Sequence, residues 1–200
     1  MHDQLERSAP GPDAGETPSG VGRFIPWLLA VGGAIGFTAA FILMYERIEL
    51  LLDPDYVTSC TINAVLNCGN VMTSPQGEAF GFPNPLIGIG GFAIVTTIGM
   101  ALLAKASFQR WYWLGMQAGM LFAVGFVHWL IFQTLYNIRA LCPYCMVVWA
   151  VTIPMFWYVT VYNAERGHLP LPKALVRNHL PIVIVWLLGI AVLCLQAFVF

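Results

Sequence analysis

The residues best equipped for chemistry are five cysteines: Cys60, Cys68, Cys142, Cys145 and Cys194. Two of them frame the tetrapeptide Cys142-Pro143-Tyr144-Cys145. With Cys142 at a helix N-cap, Pro143 takes the first helical position and Cys145 lies one turn along. A helix N-terminus carries roughly half a positive charge and unpaired N–H groups. A thiolate placed there is stabilised and becomes a better attacking or leaving group. A cysteine one turn deeper is shielded, and thiols at this spacing can cycle between dithiol and disulfide with little backbone movement. Cys60 and Cys68 form a second pair in a Pro-flanked loop, expected to be flexible and exposed, where they can be joined without strain. Together the pairs suggest a relay in which the loop cysteines trade disulfides with a soluble partner and then with the second pair. Two other readings stand beside it: structural disulfides in a non-enzymatic scaffold, or a four-thiol metal module, although zinc-ligand pairs are usually closer in sequence than Cys60 and Cys68.

These cysteines need elements to hold them, and the composition says which. Hydrophobic residues make up 58% of the 200-residue chain and Asp, Glu, Lys and Arg only 10%, against about 45–50% and about 25% in soluble domains. So few charges cannot cover a water-soluble globule of this size, and a net charge of −1 offers no basic face to a nucleic acid. A bilayer core needs roughly 20 apolar residues per helix. Five stretches without Asp, Glu, Lys or Arg meet that need: 24–45, 84–104, 111–138, 140–164 and 180–200. The expected fold is an all-α integral membrane protein, a four-helix transmembrane bundle plus a fifth transmembrane helix. Glycines in the first three stretches read as close helix contacts. Pro26, Pro85 and Pro143 are expected in first turns, and Pro154 within a helix.

The basic residues orient the chain. Arg7 and Arg23 precede the first span, Lys105 and Arg110 separate the second and third, and Arg166, Lys173 and Arg177 separate the fourth and fifth. The positive-inside rule puts these regions in the cytoplasm. The C-terminus and the loop 46–83 then fall outside, and residues 1–22 read as a disordered cytoplasmic tail. The expected location is the inner (plasma) membrane, crossed several times. Four cysteines consequently meet at the oxidising face, where disulfides persist.

Cys60-x7-Cys68 is followed by Gly69-Asn70-Val71-Met72-Thr73-Ser74, then Gly81-Phe82-Pro83-Asn84-Pro85-Leu86-Ile87-Gly88, then Cys142-Pro143-Tyr144-Cys145. This pattern resembles the vitamin K epoxide reductase family, most of all its bacterial members that make disulfide bonds. The resemblance runs over essentially all of residues 24–200. It implies a four-helix bundle around a quinone of menaquinone or ubiquinone type, with the loop capping the pocket. By motif position Cys60 and Cys68 resemble the shuttle pair, and Cys142 and Cys145 the quinone-facing pair. Ser74 matches the family's Ser/Thr after the second loop cysteine, and Asn84 its asparagine that hydrogen-bonds a quinone oxygen. Trp149 stands where animal members carry a tyrosine that contributes to quinone and anticoagulant binding. Many bacterial relatives continue past the fifth helix into a thioredoxin-like domain. Here the sequence ends at Phe200, so the expected partner is a separate extracytoplasmic thioredoxin-fold oxidoreductase.

The expected activity is oxidation of that partner's thiols by a quinone. Electrons would pass from Cys60/Cys68 to Cys142/Cys145, through a transient Cys68–Cys142 bridge, and on to the quinone beside Asn84. Other residues have plainer readings. His128, in mid-span, is expected to be a neutral histidine bonded between helices, with proton relay as the competing role. Cys194 reads as a small hydrophobe. Trp111, Tyr112 and Trp113 suggest an aromatic belt. Glu46, Glu49, Asp53 and Asp55 beside Arg47 read as a solvated loop start, with Ile48 and Leu50–Leu52 lying along the interface.

Overall fold

The computed structural model describes residues 20–53 and 55–199. Among the described residues five helices are long and apolar enough to cross a membrane, and the fold is an all-α membrane bundle. The spanning helices are α1 (Gly20–Leu52), α3 (Pro85–Leu103), α4 (Arg110–Phe132), α5 (Pro143–Glu165) and α7 (His179–Val199). Two short helices complete the set, α2 (Cys68–Thr73) in the loop after α1 and α6 (Lys173–Arg177) before α7. The bundle is built from α1, α3, α4 and α5, and α7 packs outside it, mainly on α5.

Several boundaries differ from the sequence reading. Helix α1 begins at Gly20 and ends at Leu52, so it takes in the last residues assigned to the tail and the first seven of the loop. Residues 1–19 lie outside the described residues. Ile48 and Leu50–Leu52 therefore continue the spanning helix rather than lying along the surface, and Leu50 packs on the cysteine cluster. Pro26 falls inside α1 instead of in its first turn. The third span changes character at its end, where Gln133–Ile138 forms a π-helical turn closed by Arg139 in the left-handed conformation. Leu141, in an isolated bridge, and Cys142, in extended form, precede α5.

Small residues serve two purposes. On α1 and α3 they let the backbones touch: a Cβ on Gly99 would strike the Ala30 backbone, and one on Gly36 the Phe92 ring. Gly91, Gly115 and Gly119 instead face open space along a cavity. Helix α3 lies on α1, α1 on α5 and α5 on α4, whereas α3 and α4 hardly meet. The bundle is thus open along one side, and Phe80 of the loop packs on α4 with ring contacts to Phe122 and Phe126 at 6.3 and 5.5 Å.

The bundle's other end is closed by polar side chains. Asn163 is fully buried; its amide donates to Gln117 Oε1 (3.1 Å) and its oxygen pairs with His168 Nδ1 (3.1 Å). Gln117 in turn donates to Thr160 Oγ1 at 2.9 Å. A buried polar group is tolerated in a bundle core when its bonds are met in this way.

Candidate active site

The four motif cysteines gather at the bundle end formed by the last turns of α1, the start of α3, the π turn and the start of α5. Cys60 and Cys68 are joined as a disulfide, while Cys142 and Cys145 are free thiols. The sulfur of Cys142 lies 3.1 Å from Cys68 Sγ. A short parallel pairing of Leu66 with Leu141 creates that contact. Asn67 N–H donates to Leu141 O (2.9 Å) and Leu141 N–H to Val65 O (2.7 Å). Cys142 follows this bridge directly and Cys68 lies two residues beyond it on the other segment, at the start of α2, so the pairing brings the two cysteines to the same place. Asn67 also caps α2 by accepting from Asn70 N–H.

Cys142 occupies the N-cap of α5 in extended conformation, with Pro143 at the first helical position. Its sulfur accepts the Cys145 backbone N–H at 3.4 Å. The Cys145 side chain beside it, aided by the backbone N–H groups of Cys145 and Tyr144, holds the Cys142 thiol below its ordinary range. Burial and the Glu46 carboxylate push the other way without prevailing. Cys142 is suited to act as thiolate nucleophile or leaving group.

The loop pair is not exposed. Cys60 is 6% and Cys68 0% accessible, because α2, the Leu66–Leu141 pairing and α1 enclose them. Glu46, expected in a solvated run, is 3% accessible. Both its carboxylate oxygens accept the Ser59 N–H, at 3.2 and 3.1 Å, pinning the residue next to Cys60. Arg47, one residue on, pairs with Glu78 at 2.6 Å. The end of α1 thus grips the loop at two points.

Beneath the cysteines lies a cavity of about 590 Å³ walled by α1, α3, α4 and α5. Its lining is nearly all apolar, with Phe92, Met116, Met120, Phe126 and Met155 among the wall residues. At the cysteine end the lining includes the polar groups Cys145, Asn84, Gln76, Arg47 and Thr134, with Trp149 one turn below Cys145, while Thr152 and Tyr112 lie further along. The cavity follows the side on which α3 and α4 stand apart.

The remaining candidates separate. Asn84 precedes α3 but makes no side-chain cap. Its Nδ2 donates to Gln76 O (2.7 Å) and its Oδ1 accepts Ala79 N–H (3.1 Å), so it fastens the 3-10 turn Pro75–Glu78 over the cavity. An amide nitrogen carries two hydrogens, and one is left for a ligand. Ser74 is not among the residues lining the cavity; its hydroxyl donates to Val71 O and accepts Gly77 N–H, capping the same turn. Trp149 is buried and touches the cavity on one side and the Cys194 cluster on the other. Cys194 is a buried free thiol in that apolar cluster. His128 bridges α4 and α7: Nδ1 pairs with Val124 O (2.7 Å) and Nε2 accepts from Trp186 Nε1 (2.9 Å). Indole N–H can only donate, so the proton sits on Nδ1 and both ring nitrogens are engaged.

A helical membrane bundle with a disulfide in contact with a Cys-x-x-Cys thiol, above an apolar cavity, belongs to the class of membrane thiol oxidoreductases. Residues 27–160 match the sequence model of the Vitamin K epoxide reductase family, from α1 to near the end of α5, and the chain belongs to that family. No curated protein matches the chain.

Proposed function

We propose that this protein oxidises the thiols of a separate extracytoplasmic thioredoxin-fold oxidoreductase and delivers the electrons to a membrane quinone of menaquinone or ubiquinone type. The observation that carries this reading is the 3.1 Å contact of Cys142 with Cys68, with Cys145 on the cavity wall. A thiolate of the partner attacks Cys60, the less buried member of the loop pair, and expels Cys68; the partner's second thiol then attacks its own mixed-disulfide sulfur and releases Cys60. The loop dithiol then reduces Cys142–Cys145: Cys68 attacks Cys142 and expels Cys145, and Cys60 attacks Cys68 and expels Cys142. The state described here, with the loop oxidised and the inner pair reduced, is the product of that exchange.

The cavity residues fit a quinone. The volume lies within the range of about 300–1,000 Å³ typical of ligand sites, the walls are apolar, and the opening between α3 and α4 suits a lipid tail. A bound quinone supplies the two-electron acceptor chemistry. Cys142 and Cys145 give up two electrons and two protons and close a disulfide. Asn84 would donate its free amide hydrogen to a quinone oxygen, Trp149 would pack beside the ring, and Ser74 would act through the turn it caps. The proposed orientation keeps the N-terminus cytoplasmic and the cysteine end and C-terminus extracytoplasmic in the inner membrane, with residues 23–200 as one membrane domain.

In lipid, the purified protein should couple a reduced thioredoxin-fold partner to quinone reduction. Cys142→Ala and Cys145→Ala should each abolish that transfer. Cys60→Ala and Cys68→Ala should block the protein partner yet spare reduction by a small membrane-permeant dithiol. Equal loss with both reductants would overturn the relay order. The sulfurs of Cys60, Cys68 and Cys142 also lie within 4.8 Å of one another. Two of them are spent in a disulfide, so a metal module requires that bond to be absent, which metal analysis before and after reduction tests.

A further inference from the structure

Arg47 is, among the described residues, the only charged side chain on the cavity wall. Its Nη2 is spent on Glu78 at 2.6 Å, and the side chain is 12% accessible against 38% for Glu78. Its Nε is buried and meets no hydrogen-bond acceptor. A guanidinium has five N–H donors, and a buried donor without a partner costs desolvation that nothing repays. A latch to Glu78 explains one nitrogen only. It explains neither the burial of Nε nor the placement of a cation on an otherwise apolar wall, beside Gln76 and Asn84. In a low-dielectric cavity a fixed cation most favours a ligand that carries or gains negative charge.

We propose that Arg47 is the cavity's anion-recognition residue: its guanidinium contacts the acceptor oxygen on which negative charge develops. This rests on the reading of the cavity as a quinone site. In the transfer the Cys142 and Cys145 thiols lose two electrons and two protons to become a disulfide, and the quinone takes both to become a hydroquinone. Arg47 neither gives nor takes a proton. It lowers the cost of charge that precedes protonation, and Asn84 supplies a neutral hydrogen bond.

The test is a binding measurement on the full chain in lipid nanodiscs, fully oxidised so that no electrons move. Tryptophan quenching reports occupancy, since Trp149 lines the cavity. Lawsone is an enolate anion at neutral pH, while its methyl ether and menadione are neutral quinones of similar size. On the unaltered protein lawsone should bind about tenfold tighter than its methyl ether, the scale of a charge-assisted hydrogen bond. Arg47→Gln should erase that preference and leave menadione binding within about threefold. Arg47→Lys should keep part of it. Glu78→Gln, which breaks the ion pair but leaves the cation, should keep it whole. Equal affinity for lawsone and its ether on the unaltered protein overturns the proposal even if the variants fail to fold. Equal weakening of all three ligands by Arg47→Gln and Glu78→Gln makes Arg47 a latch and overturns it too. No binding of any quinone by the unaltered protein removes the quinone reading itself.

Discussion

A double variant, Cys60→Ser with Cys145→Ser, leaves Cys68 and Cys142 as lone thiols facing each other. Their sulfurs stand 3.1 Å apart, and a disulfide needs about 2.04 Å, so roughly 1 Å must be closed. The variant removes the loop disulfide and leaves the Leu66–Leu141 pairing and the Asn67 cap, which place the backbones of Cys68 and Cys142. Groups held in contact and aligned can reach an effective molarity of about 10⁵ M, near 7 kcal/mol. Closing the gap by side-chain rotation costs about 1 kcal/mol of off-rotamer strain. The remainder, about 6 kcal/mol, is about four orders of magnitude in the exchange equilibrium.

In a glutathione redox buffer, millimolar in the reduced form with oxidised glutathione as the oxidant, the variant should accordingly exchange with oxidised glutathione to form the Cys68–Cys142 bond, release two reduced glutathiones and keep that bond. Cys68→Ser with Cys142→Ser leaves Cys60 and Cys145, and Cys145 is outside the group of three sulfurs within 4.8 Å. That pair should collect glutathione adducts instead. Thiol-specific mass tagging and peptide mapping after acid quench distinguish the two results. Glutathione adducts on both variants, with no internal bridge on either, would refute the contact and with it the relay through Cys68 and Cys142.

Asn84→Ala removes two hydrogen bonds that hold the 3-10 turn over the cavity, at about 1 kcal/mol each. Melting temperature should fall by several degrees and quinone reduction by pre-reduced protein should slow about tenfold; a normal rate in a destabilised protein would restrict Asn84 to the turn. Glu46→Ala frees Ser59, so the Cys60–Cys68 bond should be reduced faster by a small hydrophilic reductant, timed by mass tagging; an unchanged rate would show that another contact shields Cys60. Cys142 titrates below the ordinary thiol range chiefly because of the Cys145 side chain. With the loop disulfide intact, its ultraviolet thiolate absorbance should persist to lower pH than in a free thiol. Cys145→Ala should move that titration upward, since burial then opposes charge with less compensation; no movement, or a downward one, would contradict the assigned cause.

Much of this was legible because it depends on composition and local spacing. Charge-free runs of about 20 residues identify spans whatever their neighbours. The step from Cys142 through Pro143 to a helix start is written in four adjacent residues. Long-range facts were not legible. Nothing in Leu66 or Leu141 announces that they pair, since an isolated bridge of two residues has no periodicity. Glu46 and Arg47 looked solvated because charges after an apolar run normally are. Helix α1 instead continues for two turns beyond the apolar run, so its charges meet the loop folded back upon them. The glycines of α3 and α4 illustrate the ambiguity of small residues: Gly99 admits a neighbouring helix, while Gly91 and Gly119 leave a space.

Burial of the loop pair bears on how such a relay can be directional. Exchange between Cys68 and Cys142 needs contact and exclusion of competing thiols, and the closed loop provides both. Exchange between Cys60 and a partner needs access, which the closed loop denies. The two demands fall on one segment, and different contacts carry them. The Leu66–Leu141 pairing and the α2 cap hold Cys68 against Cys142, whereas Cys60 is held from the other side, through Ser59, by Glu46. The proposed relay requires the Cys60 side to loosen while the Cys68 side stays docked. On the proposed relay, a partner then reaches the outer sulfur without separating the inner two, and electrons that have crossed to Cys142 and Cys145 are sheltered from the aqueous thiols that would take them back.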